Sequence, residues 1–150
     1  MRQALAVARQ AEQLDEVPVG ALIVCEDELV SCANNQPISS NDPSAHAEML
    51  AIRSAAQQQN NYRLTNATLY VTLEPCMMCA GAILHARVER LVFGAYDFKA
   101  GVVGGCVDWL VHEKQLHNVQ VQGGVLEEEC SFILKQFFAK KRQEKMDNTT

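Results

Sequence analysis

Apolar and polar positions along the chain follow two periods, and together they predict a run of alternating elements. Residues 3–14 carry Ala4, Leu5, Val7, Ala8, Ala11 and Leu14 at helical spacing, which predicts an amphipathic helix. "VPVGALIVCED" and "ELVSCANN" then read as two strands joined by a tight acidic turn at Glu26–Glu28. The stretch "QPISSNDPSA" is dense in turn formers and predicts a loop. Asp42-Pro43 predicts a helix start, with Asp42 as N-cap and proline at the first helical position, running to about Gln58.

The second half repeats the alternation. "ATLYVTLE" is short, apolar and β-branched, as a buried strand is, and Glu74-Pro75 predicts a helix from there through about His85. "RLVFGAYD" is the next strand and "AGVVGG" a loop. A short helical segment is expected around Trp109–His112, a last strand at "NVQVQ", and a final amphipathic helix over about 126–145. This order predicts one α/β domain over residues 1–150, with helices on both faces of a mixed sheet.

Composition narrows the setting. Hydrophobic residues make up 48% and charged residues 21%, with no apolar run long enough for a membrane span. The opening "MRQALAVARQAEQLDE" mixes charges into its apolar positions and has no small-residue cleavage site, so a cytoplasmic protein without membrane contact is expected. In a reducing compartment the six cysteines are not three disulfides. Cys25, Cys32, Cys106 and Cys130 have apolar neighbours and are expected to be buried free thiols.

The net charge of −5 argues against a general nucleic-acid coat. The balance is uneven, however. From Lys135 onward Lys135, Lys140, Lys141, Arg142 and Lys145 outweigh Glu144 and Asp147, leaving a tail of +3 on a body of −8. Such a tail is either a solvated helix face or a local clamp on a phosphate backbone.

Cys76 and Cys79 stand apart from the other thiols by their spacing. Placed in a helical first turn after Pro75, they lie at i and i+3 on one face, where two sulfurs reach one ion. The positive helix N-terminus favours both thiolates. A CxxC pair alone fits a redox dithiol as well, but "AHAE" adds His46, also in the first turn of a helix. Zinc bound by His46, Cys76 and Cys79 is the expected centre. Three protein ligands leave one position for water, the mark of a catalytic site; a structural zinc is closed by a fourth protein group. Glu48 then supplies the base that is not itself a ligand. Residues two apart on a regular helix point about 200° apart, so His46 and Glu48 face one ion only if that first turn is irregular or the glutamate reaches back.

"HAE" followed by "PCMMC" matches the known signature of zinc deaminases. With "EVPVGALIV", "NDPSAHAEMLAI", "TLEPCMMCAGA", "VFGAYDFKAG" and "FFAKKRQE", nearly the whole chain resembles the bacterial tRNA-specific adenosine deaminases. The resemblance implies a three-layer cytidine-deaminase-like fold, with a central mixed five-stranded sheet and helices on both faces. It implies one Zn2+ per subunit, a homodimer, and a tRNA anticodon arm as partner, usually that of an arginine tRNA. The implied activity is hydrolytic deamination of adenosine to inosine at the wobble position, with Glu48 as proton shuttle. Asn35, Asp97 and Lys99 are implied to contact the inserted nucleoside and the anticodon path, and Phe138, Lys141 and Arg142 to supply stacking and phosphate contacts. Phe137 and Phe138 are adjacent, so at most one of them is expected to face the core. The metal motif alone also fits a small-molecule deaminase of guanine or cytosine type, and a noncatalytic zinc-dependent RNA-binding module.

Overall fold

The computed structural model describes residues 1–115 and 117–149. Five strands form one sheet in the order β2-β1-β3-β4-β5, where β1 is Gly20–Cys25, β2 Glu28–Asn34, β3 Ala67–Leu73, β4 Arg90–Ala95 and β5 Gln120–Gln122. β1 runs antiparallel to β2 and β3, while β3, β4 and β5 are mutually parallel. The sheet is mixed, as expected. The β1–β2 hairpin turns on Glu26 and Asp27, both at positive φ (50° and 64°), the two-residue geometry whose twist matches that of paired strands.

Helices cover both faces. α1 (Arg2–Gln13) and α5 (Glu127–Asp147) lie on one, where Leu5, Ala8, Ala95, Cys130 and Ile133 form a small core. On the other, α3 (Ala47–Gln59) and α4 (Met77–His85) pack over a larger core that includes Ile23, Leu69, Val71, Ile83, Leu91 and Phe93. α1 approaches β1 very closely because its inner face is alanine. Ala4, Ala8 and Ala11 are fully buried, and a Cβ on Gly20 would meet the Ala4 carbonyl oxygen and the Ala8 nitrogen. Glycine is therefore required there by space.

Several boundaries differ from the sequence expectation. α3 starts at Ala47 and not at Pro43, because the Asp42 carboxylate is used locally, accepting from the Ser44 amide (2.8 Å) and hydroxyl (2.7 Å). That Asx turn competes with helix initiation. The predicted loop contains a single helical turn, α2 (Pro37–Ser40), which tucks under the buried Glu16, whose carboxylate accepts from the Ser39 amide at 2.6 Å. Residues 109–112 form turns and no helix, and the last strand is only Gln120–Gln122. Cys25 and Cys130 are buried thiols as expected, but Cys32 and Cys106 are exposed. Cys32 falls on the outward phase of β2, paired with Leu22 and not with Cys25. Among the described residues no helix is long and apolar enough to cross a membrane.

Candidate active site

The chemistry collects at one end of the sheet, where β2 and β3 end and β1 begins. Two helices start there, and each begins on a metal-ligand candidate. His46 is the N-cap of α3 (φ −72°, ψ 151°) and Cys76 the N-cap of α4 (φ −79°, ψ 176°). Both are extended residues whose carbonyls accept the first helical bond, from Leu50 (3.0 Å) and Ala80 (2.9 Å). This corrects the expectation that His46 and Cys76 lie inside first turns. It also resolves the angular conflict between His46 and Glu48. With His46 outside the helix and Glu48 at its second position, the 200° rule for two helical residues does not apply to the pair.

His46, Cys76 and Cys79 place their ligand atoms within 4.8 Å of one another. Nδ1 of His46 is 3.6 Å from each sulfur. Zinc at about 2.3 Å from sulfur and about 2.0–2.1 Å from nitrogen, in a tetrahedron, requires a nitrogen–sulfur separation of about 3.6 Å. The donor set is soft and borderline, as zinc prefers. The cradle fits the ion. Among the described residues no other group of histidines, cysteines and acids comes together this way.

Electrostatics separate the two sulfurs. The bond from Cys79, with help from His46 and the Cys79 amide and despite partial burial, pulls the Cys76 thiol down to about 4. Cys79 moves up instead, through that same bond to Cys76, burial and the nearby Glu48 carboxylate. One proton is therefore held between the two sulfurs, and a metal entering the cradle displaces it. His46 is held above its ordinary value mainly by its bond to Cys76.

Glu48 is buried, and desolvation raises its carboxyl from 4.5 to about 7, with its own backbone amide, then His46 and the Cys79 thiol, pulling the other way. It forms the wall of a cavity of about 190 Å3 that is also lined by Asn35, His46, Glu74, Cys76 and Asp97. A buried carboxyl tuned to neutrality, beside a three-ligand cradle, is equipped to take up and release protons.

Asn35 follows β2 and accepts from the Ala47 amide through Oδ1 (3.2 Å), which ties the cavity wall to the start of α3. Asp97 has its own structural duty, accepting from the Lys99 (3.0 Å) and Ala100 (3.1 Å) amides through Oδ1, while still lining the cavity. Val17, Leu73, Asp97 and Ala100 are shared with an adjoining trough of about 610 Å3, which carries Tyr96, Phe98, Lys99, Lys135 and Phe138. Phe137 faces the core at 5% exposure and Phe138 the solvent at 45%, so only one of the pair is buried. Lys141 and Arg142 lie outside both hollows. Lys141 is paired with Asp15 (2.6 Å) and Glu144 (2.9 Å), and Arg142 lines a separate groove with Lys145, Met146 and Thr149. Sequence reasoning missed Phe98, 75% exposed and stacked on Tyr96 at 6.3 Å, although "AYDFKAG" displays both rings. It also missed Glu74, treated only as a helix start.

The fold and this cradle define a zinc-dependent deaminase, and comparison with known proteins agrees. Residues 1–95 match the family described as "Cytidine and deoxycytidylate deaminase zinc-binding region", and the chain belongs to that family. Its relatives include the tRNA-specific adenosine deaminase of Haemophilus influenzae, 51% identical over 146 residues, covering 97% of this chain and 84% of the relative. The tRNA-specific adenosine deaminase of Bacillus subtilis is 46% identical, covering 97% and 90%. A solved structure from a study of A-to-I editing by tRNA:A34 deaminases at the wobble position superposes with a TM-score of 0.86 at 42% identity, covering 89% of this chain and 97% of that one. The guanine deaminase of Nitrosomonas europaea shares the fold, with a TM-score of 0.80 at 22% identity.

Proposed function

We propose that this protein converts adenosine to inosine hydrolytically at the wobble position of a tRNA anticodon, with an arginine tRNA as the expected substrate. The observation that carries the reading is the buried Glu48 carboxyl beside the His46–Cys76–Cys79 cradle, in a cavity adjoining an aromatic and basic trough. The wobble position, one zinc per subunit, a homodimer and a cytoplasmic setting belong to the same proposal. Met77 and Met78, both exposed at the start of α4, are apolar surface that a second subunit would cover.

Zinc held in the cradle supplies the Lewis acidity that makes water a nucleophile near neutral pH. Glu48 accepts a proton from the attacking water and passes it to N1 of the ring as C6 is attacked. The same carboxylate then takes the remaining proton from the hydroxyl now on C6 and delivers it to the departing amino group, so adenosine and water give inosine and ammonia. Asn35 has its carbonyl engaged with Ala47 and offers the nucleoside an amide N–H. Asp97 accepts from a ribose 2′-OH, a contact that distinguishes RNA from DNA. Lys99 neutralises phosphate and Phe138 stacks on an unpaired base. Arg142 adds a phosphate contact further along α5, and Lys141 does so by exchanging its carboxylate partners.

The small-molecule reading keeps the metal and Glu48 but leaves Phe98, Lys135 and Phe138 without a role. The decisive experiment compares ammonia release from an anticodon stem-loop with release from free nucleosides, and looks for inosine at the wobble position of treated tRNA. Turnover confined to free nucleosides rejects the proposal.

A further inference from the structure

Glu74 is an ionisable side chain only 2% exposed, yet it is neither a metal-ligand candidate nor the proton shuttle. All the partners described for its carboxylate are main-chain amides of a single loop. Oε2 accepts from Asp97 at 2.8 Å, and Oε1 accepts from Val103 and from Gly105, each at 2.8 Å. The loop closes on it so tightly that a Cβ on Gly101 or Gly105 would fall on the carboxylate. The backbone fixes Glu74 from the other side, its amide donating to Ala95 (2.8 Å) while the Val102 amide donates to Pro75 (3.1 Å). A carboxylate with two acceptor oxygens answers three converging donors, which no apolar side chain of that size does.

We infer that Glu74 is a positioning residue: its carboxylate sets the place of Asp97 at the rim of the catalytic cavity and so controls substrate binding. The inference rests on the proposed role of Asp97 toward RNA. It connects two parts of the site that lie far apart in sequence, since Glu74 stands two residues before Cys76, whereas Asp97 follows β4.

Glutamine tests this with almost no change of shape. Its single carbonyl oxygen satisfies the Val103 and Gly105 amides, which turns its NH2 group against the Asp97 N–H. Donor then faces donor, and only Asp97 is released. In zinc-loaded Glu74→Gln, the zinc content should stay close to that of the parent, and the thermal midpoint should fall only by the few degrees that one lost bond is worth. KM for the anticodon stem-loop should rise about tenfold, the scale of one lost bond to a charged group, with kcat within about twofold. Combined with Asp97→Ala, the substitution should add nothing to the KM of Asp97→Ala alone. A fall in kcat or active fraction at unchanged KM, or additive effects in the double variant, overturns the inference in favour of a merely structural role. Hydrogen exchange in the parent gives a separate test. The Asp97 amide should be protected although its loop is at the surface, and exchange as fast as an exposed amide refutes the arrangement. A parent inactive on every RNA would reject the proposed function, and the Asp97 amide would still decide the loop geometry.

Discussion

Replacing Glu48 by glutamine separates the energetic cost of this buried acid from its chemistry. Burial raises the carboxyl from 4.5 to about 7. The folded chain therefore keeps a proton that the unfolded chain releases between those values. The stability it contributes is complete below about 4.5 and is lost as pH rises through about 7. At about 1.36 kcal/mol per pH unit, the loss reaches about 3 kcal/mol by pH 8. Glutamine has no proton to lose. Urea unfolding of zinc-stripped parent and Glu48→Gln at a series of pH values from about 4 to 8 should give similar stabilities at the acid end. By pH 8 the variant should be more stable by about 3 kcal/mol. Comparing the two proteins at each pH removes most of the titration of His46 and Cys76, which they share. Parallel stability curves would mean that burial does not hold Glu48 near neutrality. With zinc restored, the variant should bind metal like the parent and lose activity by about 10²- to 10⁴-fold, the usual contribution of a positioned acid–base group.

The remaining predictions concern the metal, the packing and the RNA face. Cys79→Ala removes one of three ligands, so metal analysis after dialysis should find little zinc and no deamination, while Cys32→Ala, at an exposed thiol, should retain both. Gly20→Ala drives a methyl into the α1 backbone and should destabilise by about 3 kcal/mol in denaturant titration, at the upper end of overpacking effects. Phe138→Ala should weaken stem-loop binding by about 1–3 kcal/mol, the worth of one stacked base, with the thermal midpoint lowered by only a few degrees because the ring is about half exposed. Asp15→Asn frees the Lys141 ammonium from one of its two carboxylates, so stem-loop affinity should improve a few-fold at low salt and lose the gain at high salt.

Much of this molecule is legible in its sequence because local patterns and global fold agree. The short apolar, β-branched runs in "ALIVC" and "TLYVTL" and the helical spacing in α1 and α5 point to the elements they form. The ligand set was readable from spacing and side-chain chemistry. The helix starts were not. Asp42-Pro43 is a sound local signal, but Asp42 uses its carboxylate on Ser44, and the helix waits for His46. The extended conformations of His46 and Cys76 are set by the strands and loops they follow, which composition does not reveal. Cys32 and Cys106 were misjudged because apolar neighbours in sequence are not neighbours in space, and strand phase turns Cys32 outward. Glu74 was overlooked for the same reason, since the amides it serves lie more than twenty residues away.

The division of labour between the helices has a practical consequence. α3 and α4 pack against each other, and Ala47, Ala51, Ala55 and Ala80 on them are fully buried, leaving little slack for the ligand-bearing starts to shift. α5 belongs to the opposite layer and carries Phe138 and the cationic tail on its outer turns. An engineer wishing to retarget the enzyme should therefore redraw the outer face of α5, and treat both these buried alanines and the loop clamped on Glu74 as fixed.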